Sequence, residues 1–236
     1  MKVLTRIRVY SLVMMGVLIV LIHGCKKADE ERPPYHYSFE TGTVTDIDGN
    51  VYNTVKIGTQ WWMAENLRTT RLNDNTPIPM GIDSTLTNPG YRWPSWDDQS
   101  RKKYGALYNW FTVDTKKLAP VGWHVPSASD WSILIYYLGG KTMAAEACKE
   151  GYIDEDGYGY NEHYCGFAAR SVGVLGEEGS VNFFLYSVYA GWWTSTGNST
   201  YGRIIIITNG DMWQSSEMLD KSVPNTFGVS VRCVKD

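Results

Sequence analysis

Two tryptophans and two aspartates fall within one short polar stretch, Trp93-Pro94-Ser95-Trp96-Asp97-Asp98. An indole offers a flat apolar face, and a carboxylate beside it accepts hydrogen bonds. Together these groups hold a sugar ring, its C–H face against the aromatic and its hydroxyls on the acids. Trp213, between Met212 and Gln214 and just after an Asn209-Gly210 turn, offers a similar pairing on a strand edge. The same indoles would serve equally well to plug loops onto a core. The two roles differ in burial, which the sequence does not give.

Other chemistry finds less support. The histidines after the leader, His36, His124 and His163, are accompanied by no Gly-x-Ser-x-Gly elbow. Asp97-Asp98 and Glu177-Glu178 are adjacent pairs that need not converge on one substrate atom. No enzyme is expected. Asp154-Glu155-Asp156-Gly157 looks at first like a calcium loop, but Tyr152 and His163 then fall where oxygen ligands are required. With no Cys-x-x-Cys spacing either, neither a metal nor another cofactor is expected.

The leader carries chemistry of a different kind. Lys2, Arg6 and Arg8 precede an apolar run from Val9 to Ile22. That run is about 14 residues, short of the ~20 that a spanning helix needs, and reads as a secretory signal. Leu21-Ile22-His23-Gly24-Cys25 resembles a bacterial lipobox, in which cleavage leaves an acylated cysteine at the new N-terminus; His23 departs from the usual small or aliphatic residue. Acyl chains contribute about 0.8 kcal/mol per buried methylene, so Cys25 would hold the chain at a bilayer. Lys26-Lys27-Ala28-Asp29-Glu30-Glu31 resembles the export signal of surface lipoproteins in Bacteroidota, although an ordinary charged linker reads the same way. The expected organisation is a signal peptide at 1–24, a lipidated cysteine and tether at 25–41, and one domain at 42–236. The expected location is the outer membrane, facing outward.

Composition narrows the partners. A net charge of −3 without a basic block gives nucleic-acid binding no electrostatic basis. Cys148, Cys165 and Cys233 remain once Cys25 is lipidated, so an oxidising compartment allows one disulfide, with the pair left open.

The elements that must position these groups are partly legible. Alternation before and after Asp48-Gly49-Asn50 predicts a hairpin, and Gly58-Thr59-Gln60 a second turn into Trp61-Trp62-Met63. Thr69 to Ser100 reads as a long irregular region, and Tyr104 to Phe111 as a short turn. Ser127 and Asp130 form a capping-box pattern ahead of Trp131, Leu134, Ile135 and Leu138, which predicts a helix ending at Gly139-Gly140. That helix should pack Trp131, Leu134 and Leu138 on a sheet holding Val229, Val231 and neighbouring residues. A second helix is expected from about Thr142 to Glu150, with Met143, Ala144 and Ala147 on one face. Short strands are expected at Trp192 to Thr194, Arg203 to Thr208 and Val229 to Val234.

Four ordered blocks carry a family resemblance. They are Asp46 to Tyr52 with Val55 to Leu67; Tyr104-Gly105-Ala106-Leu107-Tyr108-Asn109-Trp110; Gly122-Trp123-His124-Val125-Pro126-Ser127; and Val231-Arg232-Cys233-Val234-Lys235-Asp236. Together they resemble the Fibrobacter succinogenes major paralogous domain, a family of secreted and lipid-anchored bacterial proteins. The helix entry and closing strand also resemble the C-type-lectin-like and formylglycine-generating superfamily. That resemblance implies an α+β fold with small twisted antiparallel sheets, two helices and long irregular loops. The stretch from Tyr152 to Cys165 departs from it. Lectin-type calcium motifs are absent, as is the reactive cysteine pair of the formylglycine-generating relatives. The expectation is a non-catalytic binding domain for glycan at Trp93, Trp96, Asp97, Asp98 and Trp213. The alternatives are an adhesin or other cell-surface protein-interaction subunit, and a cryptic enzyme.

Overall fold

Asp46 turns the chain back on itself: its carboxylate accepts hydrogen bonds from the amides of Asp48 and Asn50, each at 2.9 Å. Gly49 takes the left-handed conformation, φ 81°, that lets the turn close between two twisted strands. A computed structural model describes residues 39–82, 87–94, 97–149, 164–170, 172, 188–208 and 217–236. All of these fall in one unit, Tyr35–Asp236.

In chain order the elements are β1 (Thr41–Thr45), β2 (Val51–Ile57), β3 (Gln60–Met63), β4 (Tyr91–Arg92), α1 (Asp98–Tyr104), β5 (Leu107–Tyr108), α2 (Trp110–Asp114), β6 (Trp123–His124), α3 (Ala128–Tyr137), α4 (Lys141–Cys148), β7 (Val188–Gly197), β8 (Tyr201–Thr208), β9 (Met218–Pro224) and β10 (Val234–Lys235). They form three antiparallel sheets, ordered β1-β2-β3-β10-β6, β4-β5 and β7-β8-β9. The fold is thus mixed, with small antiparallel sheets and four helices among the described residues. No helix among them is long and apolar enough to cross a membrane.

Period-two alternation separates two cores. Ile204 and Ile206 of β8 enter a core with Tyr108, Trp193 and Val229. Ile205 and Ile207 enter another, with Trp62, Trp131 and Trp192. Successive strand side chains point to opposite faces, so an unbroken apolar run is what a strand buried on both faces requires. The closing segment repeats the pattern. Val229, Val231 and Cys233 lie in the first core, whereas Val234 lies in the second and Arg232 stacks on that core's Phe167 and Trp192.

Several elements differ from expectation. Ser127 caps α3 through the capping box with Asp130, as its spacing predicts. However, Trp131 and Leu134 pack in the second core with Val234, not against Val229 and Val231, which face the first. Leu138 is only partly buried at the C-terminus of that helix. The neighbouring strand residues point oppositely, so the choice of face follows from β10 pairing with β3 and β6. In α4 the buried face is Ala144, Ala145, Ala147 and Cys148, while Met143 is 38% exposed.

The stretch from Thr69 to Ser100 is not simply irregular: it contains β4 and the start of α1. Helix α1 has no buried residue, so it shows no apolar periodicity to read. The short turn expected after Tyr104 is instead β5 followed by α2, which Asn109 caps by accepting from the Thr112 amide. Phe39, ahead of Gly42, packs on the second core, edge-on to Tyr164. The Asn209-Gly210 turn lies outside the described residues, although the pairing of β8 with β9 is the hairpin it would close.

Candidate functional site

Helix α1 is fixed by its end rather than by a buried face. The Asn66 side-chain amide donates to the carbonyl of Tyr104, the last residue of α1, at 2.9 Å. Gly105 follows at φ 74°, where an added Cβ would stand 2.7 Å from the Asn66 Cβ and 2.7 Å from the Leu67 carbonyl oxygen. No larger residue fits that approach without a shift.

Asn66 is itself the centre of a buried network. Its Oδ1 accepts from Trp192 Nε1 at 3.0 Å and from Arg232 Nε at 2.9 Å. Arg232 is 1% exposed. It donates further to the carbonyls of Phe167 and Ala168 and lies over the Phe167 ring, 4.3 Å from its centroid. No carboxylate among the described residues forms an ion pair with it. Burial pulls its pKa down to about 9, since a cation loses hydration in the core.

With α1 held there, its side chains form one wall of a groove of about 650 Å³. Asp98, Arg101 and Lys102 of α1 line it, together with Trp93, Asp48, Asn50 and Thr70. Trp93 is partly buried: it packs on the first core, meets Tyr91 edge-on at 5.5 Å between ring centroids, and lies under the Arg101 guanidinium at 5.3 Å. Asp98 has an exposed carboxylate 3.2 Å from Arg101. Asp97 is the N-cap of α1, its carboxylate accepting from the Ser100 amide at 2.8 Å. Trp96, Trp213 and Cys25 lie outside the described residues, as do His36, His163, Glu177-Glu178 and Asp154 to Gly157.

The structure therefore brings Trp93 and Asp98 together in an open groove and gives Asp97 to a helix cap. Arg101, Lys102 and Thr70 were missed as groove residues. The signal that would have found the first two is Asp97 itself, an N-cap residue ahead of a polar helix. His124 bridges two carboxylates, with Nδ1 2.7 Å from Asp236 and Nε2 3.4 Å from Asp130. No group of three or more His, Cys, Asp or Glu side chains able to hold a metal occurs among the described residues.

Two carboxylates tie these loops down, and their ionisation makes folding sensitive to acid. Partial burial opposes the charge on Asp48, but hydrogen bonds from the Thr70 amide, from Arg71 and from the Thr70 and Thr69 hydroxyls outweigh it and hold its pKa below the ordinary value. Asp130 is lowered likewise: burial is outweighed by the Ser127 hydroxyl and amide and by His124. A carboxyl with a depressed folded pKa stabilises the fold above its unfolded value, about 3.9, and that stability is lost as pH falls through the folded value. The denaturation midpoint should therefore be flat from about pH 7 to 5 and fall below about pH 4. Asp48→Asn should lower the neutral-pH midpoint and flatten the acid limb. An unchanged acid limb in that variant would count against this assignment.

A model of the family described as the Fibrobacter succinogenes major domain matches residues 55–235. No curated protein and no solved structure is matched.

Proposed function

This chain belongs to the Fibrobacter succinogenes major domain family, and on that footing we propose that it is a non-catalytic glycan-binding module. It would be carried on the outer membrane by acyl chains on Cys25, with the domain facing outward. Its sheets, its helix entry through Trp123-His124-Val125-Pro126 and its closing Val231-Arg232-Cys233 segment accord with a C-type-lectin-like fold, which we include in the proposal. The observation that carries the reading is Trp93. It is a partly buried indole, braced by Tyr91 and Arg101, in a groove that also offers carboxylate, amide, hydroxyl and ammonium groups.

A sugar ring would lay its C–H face on the indole, and Asp98, Asn50 and Lys102 would take its hydroxyls. Braced side chains lose little freedom on binding, which favours recognition by a preformed groove. Among the described residues of the groove no nucleophile is paired with a base, and binding is the activity proposed.

The test is a glycan array with purified protein, followed by titration of any hit against Trp93→Ala. Binding should weaken by about 1–3 kcal/mol, the scale for losing an aromatic anchor. The loss of stability should stay below the cost of truncating a buried ring, about 3–5 kcal/mol. No glycan bound, or a hit indifferent to Trp93→Ala, would overturn the assignment. Attachment to another surface protein is a second reading. It is favoured by the outer side of α3, where Ile133, Tyr136 and Tyr137 are 49%, 88% and 63% exposed.

A further inference from the structure

Cys148 ends α4, and Cys165 lies on the 164–170 segment docked beside it. Their Sγ atoms are 3.7 Å apart and both side chains are buried. Backbone contacts bracket the pair. The Cys165 amide donates to the Ala147 carbonyl at 2.9 Å, and the Ala169 amide donates to the Cys148 carbonyl at 2.7 Å. Lys149 and Ala169 form a parallel bridge just beyond. A disulfide holds its sulfurs about 2.05 Å apart, so small rotations of two short side chains would close the gap. Cys233 lies in the other core, among residues of the opposite face of the closing segment.

We propose that Cys148 and Cys165 form a disulfide in the exported protein, leaving Cys233 as a buried thiol. The bond is made by exchange with an external disulfide, the oxidised form of a dithiol oxidase. The Cys165 thiolate attacks one sulfur of that disulfide and expels the other as a thiolate. Cys148, losing its proton, then attacks the Cys165 sulfur of the mixed disulfide and expels the second. Two electrons pass from the cysteines to the external disulfide, which leaves as a dithiol carrying the two protons. The two thiols are electrostatically unequal. The hydrogen bond from Cys148 lowers the Cys165 pKa, whereas burial raises that of Cys148. Cys165 is also the less enclosed of the two, 7% exposed against 0% for Cys148, which makes it the first nucleophile.

The bond would fix more than α4. Phe167 and Ala168, on the tied segment, supply the carbonyls that hold Arg232. Gly166, Ala168 and Arg170 line a second groove of about 700 Å³, which Lys102 and Lys103 of α1 also line. One covalent link would thus set both the wall of that groove and the cradle of the buried cation.

The proposal rests on the reading that the leader exports the chain, and the experiment separates the two. Full-length protein is isolated from the cell envelope, alkylated in denaturant without reductant, and peptide-mapped. A parallel sample made without export is first incubated with oxidised glutathione. The expected result is a Cys148–Cys165 cross-linked peptide in both samples, with Cys233 alkylated. The linked cysteines are 17 residues apart. Reduction should therefore lower the Tm by roughly 6–12 °C, the span expected for closing a loop of that length in a domain of this size. Cys148→Ala should show no such response to reductant. Alkylation of both cysteines in both samples, or a link to Cys233, would overturn the proposal. A link in the glutathione sample alone would uphold the pairing and reject export to an oxidising compartment.

Discussion

Asn66→Ala is expected to destabilise the fold by about 3–5 kcal/mol, measured as a shift in the denaturant midpoint at unchanged m. The amide is a four-way junction. It accepts from Trp192 and Arg232, and it donates to the Tyr104 carbonyl and the Ser230 hydroxyl. Alanine strands an indole N–H and a guanidinium N–H where water does not reach, and each unsatisfied buried group costs about 1–3 kcal/mol, more when charged. Removing both partners at once is a different experiment. Asn66→Leu with Arg232→Met replaces polar volume by apolar volume, and buried charged groups exchanged in that way are often recovered in stability. The double variant should therefore be less destabilised than the sum of its single changes, with a coupling of about 0.5–3 kcal/mol. Additive costs would show that the network contributes through packing alone. Asn66→Ala should also loosen α1, visible as faster amide exchange from Asp98 to Tyr104, because the junction is what fixes the end of that helix.

Trp131→Ala should cost as much, about 3–5 kcal/mol, for a different reason. Its ring is fully buried, tilted against Trp62 at 4.8 Å and Trp192 at 5.7 Å and edge-on to Phe167 at 5.7 Å. Alanine leaves a cavity walled by three large rings that belong to separate segments and cannot all collapse inward. Ile133→Ala, on the exposed side of the same helix, should stay within about 0.5 kcal/mol of wild type. Thermal and denaturant unfolding of the two variants checks this directly. Equal costs would mean that α3 does not pack by the face described. Neither substitution touches Trp93, so glycan binding, where measured, should survive Trp131→Ala at temperatures where that variant remains folded.

The two predictions draw on residues that the sequence displayed very differently. Ser127 and Asp130 with apolar residues at helical spacing specified α3 locally, because capping and amphipathicity are short-range properties. Asp48-Gly49 likewise specified the first hairpin, and the four motif blocks specified the family, matched over residues 55–235. Helix α1 was hidden because it is polar on every side and is fixed by contacts from Asn66, far away in the chain.

The same holds for Arg232. In the sequence it appears only as one residue of the closing motif block, Val231 to Asp236. Contacts with segments distant in the chain bury it, at Asn66 and Phe167. Trp93 shows the limit from the other side: its type announced a ring that either binds or plugs, and its half-buried setting under Arg101 came from the packing of α1. Local spacing determined which elements this chain forms and which family it joins. Long-range pairing decided which faces meet, because alternation in a strand assigns a residue to a side without saying what lies on that side.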